Sequence, residues 1–376
     1  MAKGKKGPRK LKTEDVVVCA LGRDFYGYFG WPTVGAMEDG TLVAVASGMR
    51  TAHVCPYGRT VFLKSHDQGR TWTSPRVIND SPLDDRDAGV ISPGGKRLLV
   101  TWFSSDTRYY AGRRDKKDPW QQAIAAGLRW MTDENARRFV GSWLRLSDDG
   151  GDTWSHSVRV PVNSPHGPIR LRSGELLYLG KVFDDDMKRF CTGVGEMVAV
   201  KSSDGGVTWT HMGTVPIHPG TVLENYHEAH VAELPSGKLI GHIRFQSHGD
   251  SDVSKVGLVS FSIMQTESTD GGRTWSPVET LGFHGSPPHL LMHSSGALVC
   301  VYGYRQEPYG ERACISRNEG KTWKHCVLRD DGPDGDLGYP SSVELSDGRI
   351  FTLFYQKPSS SEEKCALLGS IWRVPK

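Results

Sequence analysis

No stretch of this 376-residue chain approaches the roughly 18–20 consecutive apolar residues that cross a bilayer, which argues against a membrane-spanning helix. Net charge is nearly absent too: 46 Lys and Arg against 43 Asp and Glu leave only +3, which gives no basis for a nucleic-acid partner. Part of that excess sits in the opening MAKGKKGPRKLK, read as a solvated, flexible leader over residues 1–14. No apolar core follows it, so it does not read as a secretory signal. Cysteine is scarce. The seven present are an odd number without CxxC spacing, which points to reduced thiols in a cytoplasmic protein rather than a disulfide framework. His166, His227, His230 and His289 lack the helical spacing of a metal site, so neither metal nor cofactor is expected.

What the chain has in quantity is glycine, 44 residues, tryptophan, 11 residues, and repetition. SHDQGRTW (65–72), SDDGGDTW (147–154), SSDGGVTW (202–209), STDGGRTW (268–275) and SRNEGKTW (316–323) are five copies of one octapeptide, with Asn318 replacing Asp in the last. Repeats of this kind define an architecture before any other feature does. Ser, Asp and Gly favour tight turns through side-chain bonds to the backbone and positive φ. The Thr-Trp that follows starts a strand, and its indole suits the gap between neighbouring sheets.

A second repeat runs between the octapeptides. Residues 31–48, 87–103, 167–182, 229–245, 288–305 and 339–356 each alternate apolar residues on both sides of a Gly-containing turn, the pattern of a two-stranded hairpin. Five of the six precede an octapeptide hairpin, and two hairpins make one four-stranded blade. The expected fold is all-β: a six-bladed β-propeller over residues 15–376. DVVVCALG (15–22) is expected to supply the missing outer strand of the last blade. Residues 112–140 break the β pattern and read as a short helical insertion in the second blade.

Equivalent positions in a propeller crowd around one axis. The hairpin entry ends carry Asp87, His166, Glu228, His289 and Tyr339, a set of titratable groups facing one cavity. The exit ends carry Arg50, Lys181, Arg244 and Arg305, which suits an anionic ligand, most simply a carboxylate sugar.

The octapeptides resemble the Asp-box, or BNR repeat, of the sialidase (neuraminidase) superfamily, and the resemblance covers about residues 25–374. It implies a tyrosine nucleophile activated by a glutamate, three arginines gripping the substrate carboxylate, and an aspartate as acid/base. A tyrosine nucleophile departs from the usual two-carboxylate glycosidase. Tyr339 opens a hairpin matching the family's nucleophile motif, with Pro340 at its second position. Glu228 stands sixteen residues before Arg244, the family spacing of the glutamate and a triad arginine. Arg305 or Arg312 would be a further triad member. Two positions depart from the family. Phe29-Gly30-Trp31-Pro32 puts Gly30 where the first triad arginine belongs, and His53 falls near the usual acid/base aspartate.

The resulting expectation is an exo-glycosidase of sialidase type that hydrolyses a terminal acidic sugar, sialic acid first. Tyr339 attacks, Glu228 takes its proton, and Asp87 or His53 protonates the leaving oxygen. Arg244, with Arg305 or Arg312 and with Arg50 compensating for Gly30, holds the carboxylate, and His166 and His289 line the site. Two alternatives stand beside it: a polysaccharide lyase acting on uronic acids through a Tyr/His pair, and a non-catalytic carbohydrate-binding propeller. The oligomeric state is not legible.

Overall fold

Period-two alternation around a tight turn folds each of the six segments into paired strands, and each pair recruits two further strands. The computed structural model describes residues 7–108, 122, 125, 126, 128–182, 195–247 and 252–375. Blade one comprises Tyr28–Ala36, Leu42–Arg50, Arg59–Ser65 and Arg76–Asn79. Blade two comprises Asp84–Gly94, Arg97–Ser105, Gly141–Ser147 and Val158–Arg159. Blade three starts with a broken strand, Val162–Asn163 and Ile169–Arg170, before Leu176–Val182, Met197–Ser202 and Thr210–Thr214. Blade four comprises Tyr226–Glu233, Leu239–Phe245, Ser262–Ser268 and Glu279–His284. Blade five comprises Pro288–Met292, Leu298–Tyr304, Gly310–Ser316 and Lys324–Val327. Blade six comprises Gly338–Glu344, Ile350–Gln356 and Ala366–Trp372, and its fourth strand is Glu14–Cys19. The two ends of the chain therefore close one blade between them, as the missing octapeptide required.

Neighbouring blades bury their facing sides in separate apolar clusters, one for each interface. The octapeptide indoles plug these seams as expected. Trp72 of blade one packs on Phe351 of blade six, Trp154 of blade two on Phe62 of blade one, and Trp323 of blade five beside His242 of blade four. Blade six has no octapeptide, and Trp372 of its third strand fills the seam with blade five instead. The turns themselves are held by their aspartates. Asp204 accepts from Ser202 Oγ, the Val207 and Thr208 amides, and Thr208 Oγ1.

One expectation changes. The leader is not free throughout residues 1–14. Arg9–Lys10 pairs in parallel with Cys326–Val327 on the edge of blade five, and Leu11 is buried beyond it. Residues 1–6 lie outside the described residues. Much of the expected helical insertion also lies outside them, and its described part holds one short helix, Asp133–Phe139, capped by Thr132. The six described cysteines are buried free thiols. Among the described residues, no helix is long and apolar enough to cross a membrane.

Candidate active site

The first strands of the blades line the axis, and in four of them the register slips near the start. The slips fall at Gly30/Thr33, Arg86/Gly89, Tyr226/Ala229 and Gly338/Ser341. Bulges of this kind re-aim a side chain. Trp31, Asp87 and Tyr339 occupy three of them in left-handed conformation, at φ 52°, 51° and 51°. Each such residue costs about 1–3 kcal/mol and persists where the surroundings over-determine it. The same local device thus delivers a different side chain from each blade to one place.

Tyr339, Glu228 and Arg244 meet there. The Tyr339 hydroxyl donates to Glu228 Oε1 at 2.7 Å, and Arg244 Nη1 lies 2.9 Å from both Glu228 oxygens and 3.0 Å from the hydroxyl. Arg244 Nη2 donates to Gln246 Oε1 at 2.6 Å. Burial pushes the Tyr339 phenol well above its ordinary range, and Glu228 adds to the rise while Arg244 opposes it. Tyr339 is therefore neutral at rest, with a carboxylate poised to take its proton. Burial works against the charge on Arg244, but Glu228 and Tyr339 beside it keep the guanidinium ionised. Arg305 stands over the Tyr339 ring, its guanidinium carbon 5.7 Å from the centroid, and bonds the Leu337 carbonyl through Nε and Nη2.

Asp87 belongs to the same group. Burial pushes its carboxyl up to about 7; Arg86 opposes the rise and Glu228 adds to it. Its Oδ1 is buried without a hydrogen-bond partner. His53 stands at the rim. Its ring meets Trp31 edge-on at 4.9 Å, and Nδ1 lies 2.8 Å from Asp336 Oδ1. Asp336 also accepts from the Tyr28 hydroxyl at 3.0 Å to each oxygen, and from Tyr355 at 3.3 Å. Burial pushes Asp336 up, but bonds from His53 and Tyr28 outweigh it and hold the carboxylate at about 2. A Cβ at Gly30 would touch the Tyr28 and Tyr355 rings at 3.4–3.6 Å. The position of the family's first arginine thus faces an aromatic pair anchored on an acid.

His166 and His289 are not in the wall of the site. They lie in its floor. Two residues beyond Trp31, Asp87, Glu228 and Tyr339 come Thr33, Gly89, His230 and Ser341. His166 bonds Thr33 Oγ1 at 3.0 Å, and its ring lies 5.7 Å from that of His230 and 5.0 Å from that of His289. His230 and His289 stack at 4.2 Å. Gly89 admits this layer, because a Cβ there would lie 2.6 Å from the His166 carbonyl carbon and 2.3 Å from the Gly167 nitrogen. Burial holds all three imidazoles below their usual range, and His230 falls to about 3. The Nδ1 atoms of His230 and His289 accept from the Leu290 and Ser342 amides, so Nε2 carries the proton in each. Three neutral, buried rings therefore pack together in the layer next to Tyr339. Among the described residues, no group of three or more His, Cys, Asp or Glu is arranged to hold a metal.

Two arginines are elsewhere. Arg50 has no solvent exposure and cannot replace the missing arginine. It pairs with Asp84 through Nη1 and Nη2, the latter at 2.8 Å, and also bonds Ser47 Oγ and the Ala52 and His53 carbonyls. It fastens blade one to blade two. Arg312 lies on a third strand, too far out to reach the axis. Its guanidinium bonds the Glu311, Arg329 and Pro308 carbonyls, stacks on Tyr304 at 4.5 Å, and lines an outer cavity of about 1000 Å³. Lys181 is likewise committed, to the Leu223 and Tyr226 carbonyls.

Sequence reasoning missed Asp336, Gln246, Tyr28 and Tyr355. Gln246 carried a signal, because it stands two residues after Arg244 and period two puts both on one face. Asp336, three residues before Tyr339 in an acidic loop, carried none that separates it from its neighbours.

The chain matches the model of the BNR repeat-like domain over residues 130–352. It is 25% identical over 267 residues to a sialidase of Micromonospora viridifaciens, covering 68% of this chain and 37% of that protein. The chain thus spans little more than a third of that curated relative. A solved protein of unknown function from Dyadobacter fermentans shares 25% identity and superposes with a TM-score of 0.73, over 99% of this chain and 100% of the other. The intramolecular trans-sialidase of Ruminococcus gnavus, solved with oseltamivir carboxylate, has the same fold, with a TM-score of 0.65 at 18% identity, over 96% and 97% of the two chains. Five Asp-box turns, six closed blades and these likenesses agree: the chain belongs to the BNR repeat-like domain family, within the sialidase superfamily of propellers.

Proposed function

We propose that the protein is a retaining exo-glycosidase that removes a terminal acidic sugar, with sialic acid as the leading candidate. The observation that carries this reading is the 2.7 Å bond from the Tyr339 hydroxyl to Glu228 under Arg244. A phenol with a carboxylate base attacks an anomeric carbon without bringing a resting negative charge against a substrate carboxylate. As Tyr339 attacks, its proton passes to Glu228, and Arg244 stabilises the charge that develops on the phenol oxygen. Arg244 bonds that oxygen and Arg305 stands over the Tyr339 ring, and guanidinium forks suit a carboxylate. Asp87 and His53 remain the two candidate donors to the leaving oxygen. Packed imidazoles of His166, His230 and His289 below the Tyr339 layer favour removal of a chain-end sugar over cleavage within a chain.

A lyase acting on uronic acids calls for a Tyr/His pair. The Tyr339 hydroxyl meets Glu228 and Arg244 instead, so the hydrolase reading is favoured.

The test is incubation with an aryl α-sialoside and a panel of other aryl glycosides of acidic sugars, beside Tyr339→Phe. Aryl release by the native protein and not by the variant is the expected result. Saturable binding of an acidic sugar without any product would overturn the enzymatic reading in favour of a binding propeller.

A further inference from the structure

The two candidate proton donors differ in depth. Asp87 is 5% exposed and belongs to the buried group around Tyr339 and Glu228. The His53 side chain is 49% exposed. An exo-acting enzyme buries the terminal sugar and leaves the remainder of its substrate in solvent. The oxygen that departs therefore sits toward the rim, on the His53 side. We propose that His53, positioned by Asp336, gives the leaving oxygen its proton, and that Asp87 does not. The inference rests on the glycosidase reading above.

His53 is held in more ways than a surface histidine requires. An ionised carboxylate only accepts hydrogen bonds, so the 2.8 Å contact places the Nδ1 proton toward Asp336. Nε2 is then the atom that gains and loses the transferable proton. Tyr28, 3.2 Å from Nδ1 and 3.0 Å from each Asp336 oxygen, fixes the carboxylate relative to the ring. Trp31 packs edge-on against the ring at 4.9 Å. Arg50 and Arg86 both donate to the His53 carbonyl, at 2.9 and 3.2 Å, and hold the backbone. Asp336 is the acid, Tyr28 the phenol, and Arg50 and Arg86 the cations that act on this imidazole.

Protons balance through the cycle. Protonated His53 gives its Nε2 proton to the glycosidic oxygen as that C–O bond breaks. Tyr339 oxygen bonds the anomeric carbon and its own proton goes to Glu228. In the second half, neutral His53 takes a proton from the attacking water, the Tyr339–carbon bond breaks, and Glu228 returns the proton to the phenol. The sum is hydrolysis with no other reagent.

The experiment compares two glycosides of one acidic sugar, one with a strongly acidic phenol as leaving group and one with an alkyl alcohol. A phenolate departs without a proton and an alkoxide does not. His53→Gln and Asp336→Asn should each lose at least about a hundredfold more kcat on the alkyl than on the aryl glycoside, and Asp87→Asn should lose the same on both. Partial burial holds the His53 imidazole below its ordinary range and Asp336 opposes that fall, so loss of Asp336 should move the alkaline limb of the alkyl-glycoside profile to still lower pH. Nitrogen-15 spectra of the native protein should show the Nδ1–H tautomer of His53, independently of turnover. An Nε2–H tautomer overturns the proposal. So does leaving-group selectivity in Asp87→Asn, or its absence in His53→Gln, while turnover still depends on Tyr339. Absence of Tyr339-dependent turnover on every glycoside is a different failure: it overturns the glycosidase reading and this inference with it.

Discussion

The Tyr339 hydroxyl donates to Glu228 at 2.7 Å although the two residues are 111 positions apart, and Arg244 Nη1 touches both. Removing the hydroxyl leaves the Glu228–Arg244 pair intact. Tyr339→Phe should therefore lose about 1 kcal/mol of stability, the net worth of one hydrogen bond, and at least about a hundredfold in kcat. Urea titration beside steady-state kinetics checks both. A large fall in stability would mean the hydroxyl holds the fold rather than performing chemistry.

Arg50 and Asp84 have no exposed side-chain surface, and their pair joins blades one and two. Arg50→Ala leaves Asp84 buried without its bidentate partner. The expected loss is about 3–5 kcal/mol in denaturant titration. Gly58→Ala should act the same way, because its Cβ would sit 2.1 Å from both Arg50 Nη1 and Asp84 Oδ1. A raised KM with unchanged stability in Arg50→Ala would instead return Arg50 to the substrate site.

Asp87 titrates at about 7 in the folded protein, chiefly because it is buried, against about 3.9 when unfolded. Between those values the folded chain keeps a proton that the unfolded chain releases. Asp87 therefore destabilises progressively as pH rises from about 4, and the penalty levels off above about 7 at roughly 4 kcal/mol. Asp87→Asn removes the penalty. Its melting temperature relative to the native protein should climb between pH 4 and pH 8. A gap independent of pH would show that Asp87 does not hold its proton.

Asp204 and Asp270 are each held at about 2, chiefly by bonds from Thr208 and Thr274 respectively. A depressed carboxylate contributes its full stability above its unfolded value near 3.9 and loses it as pH falls through about 2. Asn318 of the fifth turn accepts from the Thr322 amide at 2.9 Å but does not titrate. Hydrogen exchange at Thr208 and Thr274 should speed up relative to Thr322 as pH falls from about 4 to 2. Equal behaviour of the three would show that the aspartate bonds contribute nothing to the turns.

Much of the protein was legible in its sequence because the deciding forces were local. Period-two alternation makes hairpins, and Ser-x-Asp-x-Gly-x-Thr-Trp makes a turn with an indole peg. A chain with six inner hairpins and five pegs must find its missing strand elsewhere, and Glu14–Cys19 supplied it. The pairing of Tyr339 with Glu228 and Arg244 was legible through the resemblance to sialidases, while convergence of equivalent strand ends on one axis implied only that all three face one cavity. The rest depended on how blades stack. Arg50 ends one second strand and Arg305 directly follows another, yet Asp84 of the next blade draws Arg50 out of the site while Arg305 stays over Tyr339. His166 lies in the break between the two short first strands of blade three, where the space above Gly89 admits it, and His289 stacks on His230 rather than joining Tyr339. Asp336 gains its role only because Tyr28, His53 and Tyr355 come from blades one and six to meet it. Local sequence determines strands and turns, whereas a side chain's partner across a seam is decided by the packing of two separate sheets.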